Sequence, residues 1–184
     1  MEQNHQNLFI LRWNPNKSSY KKEVHKGVVA HAKVYQFPKG FNWSIRDWKK
    51  VSSGDLFIMQ QVGTDNDGIV MIGKIKGKCY EEQSWRNDGS VIHYADLLLF
   101  SAFDADEKNV LSAEKYEKLF PEICWHHGYS GELLEFNLAN RLLSQIDRDL
   151  MECGLWNNGS FGDLVNPWWS IEDILTDKKE KHDF

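Results

Sequence analysis

No hydrophobic run in this 184-residue sequence is long enough to span a membrane. The first residues, MEQNHQNLFILRW, lack a basic segment followed by a long apolar stretch, so neither a signal peptide nor a membrane anchor is expected. Cysteine is scarce. Cys79, Cys124 and Cys153 are odd in number and follow no framework spacing, which points to reduced thiols and a cytoplasmic location. The Asn-x-Ser sequons at Asn16, Asn42 and Asn158 are then chance matches. Glycine-rich phosphate loops of the Walker or dinucleotide type are missing. In Gly128-Tyr129-Ser130-Gly131 the fourth residue rather than the fifth is glycine, and no strand-to-helix setting surrounds it, so a nucleophile elbow is not expected. Cys124, His126 and His127 lie close together but without CxxC pairs or structural-site spacing, so no metal site is expected. Acidic pairs are plentiful, yet none has an apolar setting that would tune a general acid. Nothing here demands catalysis or a cofactor.

What is present fits one domain with a real core: 41% of residues are hydrophobic and 27% charged, ordinary for a globular chain. The net charge of −5 is unevenly spread. Residues 1–50 hold ten Lys/Arg against three acids, +7, which leaves −12 for the rest. A basic third on an acidic body can be the footprint of a polyanion contact, although charge alone favours a solvated lysine-rich surface. Eight tryptophans are the second anomaly, because so large a ring is kept where a packed core or a flat platform needs it.

Apolar patterning predicts an α+β chain. LFILRW (Leu8 to Trp13) suits a buried strand, closed by Asn14-Pro15-Asn16. Ser18 to about Lys33 is basic and weakly periodic, read as a short helix plus a loop; Phe37 to Trp43 should be loop. Ser44 and Asp47 look like the ends of a capping box, predicting a short helix from Trp43. Gly54-Asp55 leads into a hairpin, Leu56 to Val62 and Ile69 to Lys76, split by Thr64-Asp65-Asn66-Asp67-Gly68. Asn87-Asp88-Gly89 turns the chain into a long strand, Val91 to Phe103. A helix follows from Ser112 to Phe120, then an aromatic loop, Cys124 to Gly131, and a short strand at Leu133-Leu134. Phe136, Ala139, Leu143, Ile146 and Leu150 mark the clearest amphipathic helix, Glu135 to Cys153. Beyond Gly154 the tail holds Trp156, Trp168 and Trp169, turns charged, and should fray after about Thr176.

Trp13-Asn14, Asn42-Trp43-Ser44, Trp85, and Trp125 with Ser130-Gly131 border predicted strand ends, where the loops of a small barrel gather. Flat rings beside amides and hydroxyls are what a pocket for a flipped base needs. Any single tryptophan among them is better explained as a plug in a barrel end.

The order of these motifs resembles the PUA-like superfamily. Within it, the chain is similar to the EVE-type and related modules attached to bacterial modification-dependent restriction systems. The motifs are WNPNKS (Trp13 to Ser18), NWSI (Asn42 to Ile45), GDLFIMQQVG, GIVMIGKI, KCYEEQSW, LSAEKYEKLFPEICW and Ser130-Gly131, and the likeness runs over residues 8–146. It implies a small mixed, largely antiparallel β-barrel with peripheral helices over 1–153, with 154–184 as an extension packing on it. It also implies a reader of modified bases in DNA or RNA. The implied pocket is Trp13, Asn14, Trp43, Ser44 and Trp85, with Trp125 and Ser130 at the rim. Phosphates would meet Lys17, Lys21, Lys22, Lys39 and Arg46. Two features depart from the pattern. His126-His127 stands where similar proteins show smaller polar residues, and no nuclease motif is fused, so a cleaving or modification-system partner would be a separate chain. A small enzyme of the related ASCH type is the competing implication, with Lys74 and Glu81 or Glu82 in its pocket. A third alternative is an interaction protein whose last helix binds a partner chain.

Overall fold

A computed structural model describes residues 6–34 and 39–155. It shows six strands and three helices: β1 (Leu8–Trp13), α1 (Lys22–Val34), β2 (Lys39–Ser44), β3 (Leu56–Gln61), β4 (Gly68–Gln83), β5 (Val91–Ala102), α2 (Ala113–Leu119), β6 (Glu132–Leu133) and α3 (Phe136–Glu152). The strands form one mixed sheet in the order β2-β5-β4-β3-β1-β6. β1 and β3 run parallel, with Leu8 opposite Leu56 and Trp13 opposite Gln61; the other pairs are antiparallel. The expected α+β, largely antiparallel architecture is what the chain adopts.

Among the described residues strand pairing does not close the sheet into the expected barrel, but main-chain bonds tie its edges together. Just past β2, Arg46 N–H donates to Ser130 O and Asp47 N–H to Gly131 O, both at 3.0 Å. Asp47 also accepts Leu133 N–H at 3.0 Å. Gly131 is obligatory at this seam: its φ is +83°, and a Cβ there would lie 2.5 Å from Ile45 Cα.

Alternation along each strand sends side chains to two faces, both buried. One face gathers Phe9, Leu11, Trp13, Phe57, Met59, Val70, Ile75 and Leu97, with Val28, Val29 and Ala32 of α1. The other gathers Leu8, Ile10, Leu56, Ile58, Ile72, Leu98 and Phe100 under α2 and α3. In the hairpin, Gly73 sits at a β4 register shift, where any side chain would strike Leu98 O on β5.

Gly54-Asp55 before β3 works as an anchor. The buried Asp55 carboxylate accepts Asn7 N–H at 3.0 Å and Ser52 N–H at 2.8 Å, joining the starts of β1 and β3. The Ser112 cap of α2 is present, accepting Lys115 N–H, while Glu135 caps α3 through Asn137 and Leu138 N–H.

Two expectations fail here. The segment before Trp43 is strand β2 rather than loop, because its main chain finds partners along Leu99 to Tyr94 of β5. The capping box at Ser44 is not used: Ser44 ends the strand, and only a single 3-10 turn, Trp48–Lys50, follows. Asp47 makes no side-chain cap bond and is spent on the β6 seam instead. Trp156, Trp168, Trp169 and the expected fraying after Thr176 lie outside the described residues. Among those described, no helix is long and apolar enough to cross a membrane.

Candidate nucleic-acid interface

Three segments remote in sequence converge on one face of the sheet. Trp13 closes β1 with its ring fully buried. Tyr20 meets it edge-on at 5.1 Å, and Trp13 Nε1–H donates to the Tyr20 carbonyl at 2.7 Å. On β2, Trp43 lies on the same sheet face, opposite Ala95. It is half-buried and meets Tyr20 at 5.8 Å, nearly perpendicular. Its Nε1–H donates to Ser130 Oγ at 3.0 Å, and the same hydroxyl accepts Arg12 N–H at 3.1 Å. His25 of α1 completes the group, 4.9 Å from the Trp13 ring.

The His25 tautomer follows from its partners. Nε2 lies 2.8 Å from the Phe103 carbonyl, which can only accept, so Nε2 carries the hydrogen and Nδ1 accepts from the Tyr20 hydroxyl at 3.2 Å. Burial lowers the His25 pKa, outweighing the Phe103 bond and the charges of Asp104 and Asp106. Burial also pushes the Tyr20 hydroxyl well above its ordinary range, so both groups are neutral near pH 7.

The loop that carries Ser130 is held from beneath. Buried Arg12 pairs with Glu132 at 2.7 Å and donates to the carbonyls of Cys124 and Tyr129. Arg46 lies over the exposed Tyr129 ring, 4.1 Å from its centroid. Asn14 is half-buried beside Gly63 and accepts Asn16 N–H through Oδ1.

The structure thus brings Trp13, Trp43 and Ser130 together around Tyr20 and Arg12, with Asn14 following Trp13 and packed beside Gly63. It does not bring the other three expected pocket residues there. Ser44 points to the opposite face from Trp43, at the register position of Tyr94. Trp85 lies past the far end of the β4–β5 ladder, exposed, with its N–H on Tyr94 Oη and Arg86 above its ring. Trp125 belongs to the core under α2 and α3, where Nε1–H donates to the Phe120 carbonyl and the ring packs on Tyr116. Composition could not separate these indoles, since each borders a loop.

Of the expected phosphate contacts, Lys17 and Lys21 flank the Tyr20 loop, and Arg46 lies at the seam. Lys22 is bound to Asp106 at 2.8 Å. The Lys39 side chain lies outside the described atoms. Tyr20 and His25 went unread in the sequence, where both sit inside a basic, weakly periodic stretch. The aromatic ring of Tyr20 beside WNPNKS was the available signal.

The residues of the enzyme reading do not meet. Lys74 faces the α2/α3 side, between Leu56 and Leu98, and Glu81 lies seven residues further along β4, about 20 Å at ~3.3 Å per residue. His126 pairs with Asp67 at 3.0 Å, and His127 with Cys124 at 3.2 Å.

No protein-family model matches this chain, and no curated protein does. Among solved structures it is similar to a hypothetical protein from Leishmania major, at 11% identity and a TM-score of 0.51, over 78% of this chain and 96% of that one. The two share a fold. Looser likenesses join it to the Mmi1 YTH domain in complex with RNA, at 16% identity, with a TM-score of 0.47 over 80% and 82% of the chains. A second Mmi1–RNA complex gives 0.45 over 80% and 85%. The EVE-type resemblance rests on the sequence motifs.

Proposed function

We propose that this chain is a nucleic-acid-binding module that receives a modified nucleobase at the Trp13–Tyr20–Trp43 cluster on one face of its sheet, without catalysing a reaction on it. The observation that carries this reading is the convergence of Trp13, Trp43 and Ser130 from three distant segments on one aromatic group. Lys17 and Lys21 lie on the same β1–α1 connection as Tyr20, and neither makes an ion pair among the described residues. Stacking a base on an aromatic ring contributes ~1–3 kcal/mol, and extruding one costs a few. One or two ring contacts plus hydrogen bonds therefore suffice for selectivity, while lysine–phosphate contacts add affinity without sequence information.

The test is a binding panel of oligonucleotides with and without base modifications. Wild type should favour a modified member, and Trp43→Ala should lose that preference by about tenfold or more, the equivalent of one stacking contact. Its melting transition should stay within a few degrees, since Trp43 is only half-buried. Equal binding of every oligonucleotide by wild type sinks the reading.

A further inference from the structure

The proposed base position is already filled by the protein itself. Tyr20 stands edge-on to both indoles, 5.1 Å from Trp13 and 5.8 Å from Trp43. Its hydroxyl ends on His25 Nδ1 at 3.2 Å, and His25 is itself 2% exposed. Tyr20 lies between β1 and α1, in a segment of turns and bends outside both. Its attachments there are short-range: its N–H donates to Ser18 Oγ at 3.1 Å, and its carbonyl accepts from Trp13. The remaining walls are fixed by strands β1 and β2 and by helix α1. One planar ring with a hydrogen-bond donor at its rim thus occupies a rigid aromatic corner, carried on a short irregular connection.

We propose that Tyr20 is a resident stand-in for the ligand: an incoming base displaces its ring and takes over both the Trp13–Trp43 corner and the hydrogen bond to His25 Nδ1. This rests on the base-binding reading above and adds the chemical class of the base. Because Nε2 is committed to Phe103 O, Nδ1 can only accept. A base that replaces Tyr20 must therefore bring a hydrogen-bond donor to that edge, as the exocyclic amines of adenine and cytosine do. One whose amine is fully alkylated leaves a buried acceptor without a donor. The resident ring also sets a threshold on affinity, since a ligand binds only the fraction of molecules in which Tyr20 has moved away.

The deciding experiment uses the full chain and measures calorimetric affinity for adenosine, cytidine, N6,N6-dimethyladenosine and the preferred oligonucleotide. If the open form is about a tenth of the population, Tyr20→Ala should bind adenosine or cytidine about tenfold more tightly than wild type. Tyr20→Phe keeps the ring but not the hydroxyl, so it should gain in the same direction by less, and it carries the test if the alanine variant does not fold. N6,N6-dimethyladenosine should bind the variants at least tenfold more weakly than adenosine. If Tyr20→Ala and Tyr20→Phe bind no better than wild type while Trp43→Ala still loses the preferred oligonucleotide, the stand-in is overturned and base binding stands. If the dimethylated nucleoside binds equally well, the His25 contact is overturned. Should no protein bind any probe, both ideas fall together.

Discussion

Lys74 carries an ammonium group into a place with no counter-ion among the described residues. On β4 its neighbours in register are Leu56 and Leu98, and only 4% of the residue is exposed. Burial lowers its pKa from the usual 10.5, because the charged form is the one that loses hydration. In the window between that lowered value and 10.5 the unfolded chain binds more protons than the folded one. The cost is therefore absent above pH 10.5 and grows as pH falls toward the folded-state value. Lys74→Met should stabilise the fold by about 1–3 kcal/mol at pH 7. Urea denaturation should also show the gain shrinking toward pH 10; a variant less stable than wild type at pH 7 sinks this account. The residue scale is also where sequence reading was least able to discriminate. Trp13 and Trp125 are both buried indoles bordering loops, yet one lies on each face of the sheet. Strand alternation fixes Trp13's face once β1 is assigned, but Trp125 lies on a loop, where no periodicity applies.

At the level of elements, the seam between the segment after β2 and the segment before β6 depends on a residue without a side chain. Gly131 combines a positive φ with backbone contact against Ile45 and Arg46, so Gly131→Ala incurs both conformational strain and a collision. The variant should lose about 2–4 kcal/mol in denaturant unfolding, and Ser130 should no longer hold the Trp43 indole. A loss under about 0.5 kcal/mol would mean that the seam is not needed for stability. β1, the β3–β4 hairpin, β5, α2 and α3 were legible because each satisfies its own pattern of apolar alternation, turn chemistry or capping. β2 was not, since KGFNWS has too little alternation and becomes a strand by pairing with β5. The same local reading mistook Ser44 and Asp47 for a helix start, when the longer-range partner, Leu133 N–H, claims the carboxylate.

Taken whole, the molecule is acidic, with a net charge of −5, and only a few of its cations are available to the candidate interface. Lys17, Lys21 and Arg46 carry no ion pair among the described residues, whereas Lys22 is committed to Asp106. About three phosphate contacts give a slope of log affinity against log salt of about −2 to −3. A titration series in sodium chloride reads this directly. A slope steeper than about −6 would require a much larger basic footprint than these residues provide. The sequence by itself determined the α+β class, most strands and helices, and the list of tryptophans from which a base site would be drawn. These follow from local periodicity and residue chemistry. Only the tertiary structure decided which rings share a corner, that Ser130 reaches Trp43, and that Tyr20 already stands beside both indoles. Each is set by strand register and the edge-to-edge seam, quantities that depend on contacts across 87 positions of chain between Trp43 and Ser130 and 118 between Arg12 and Ser130.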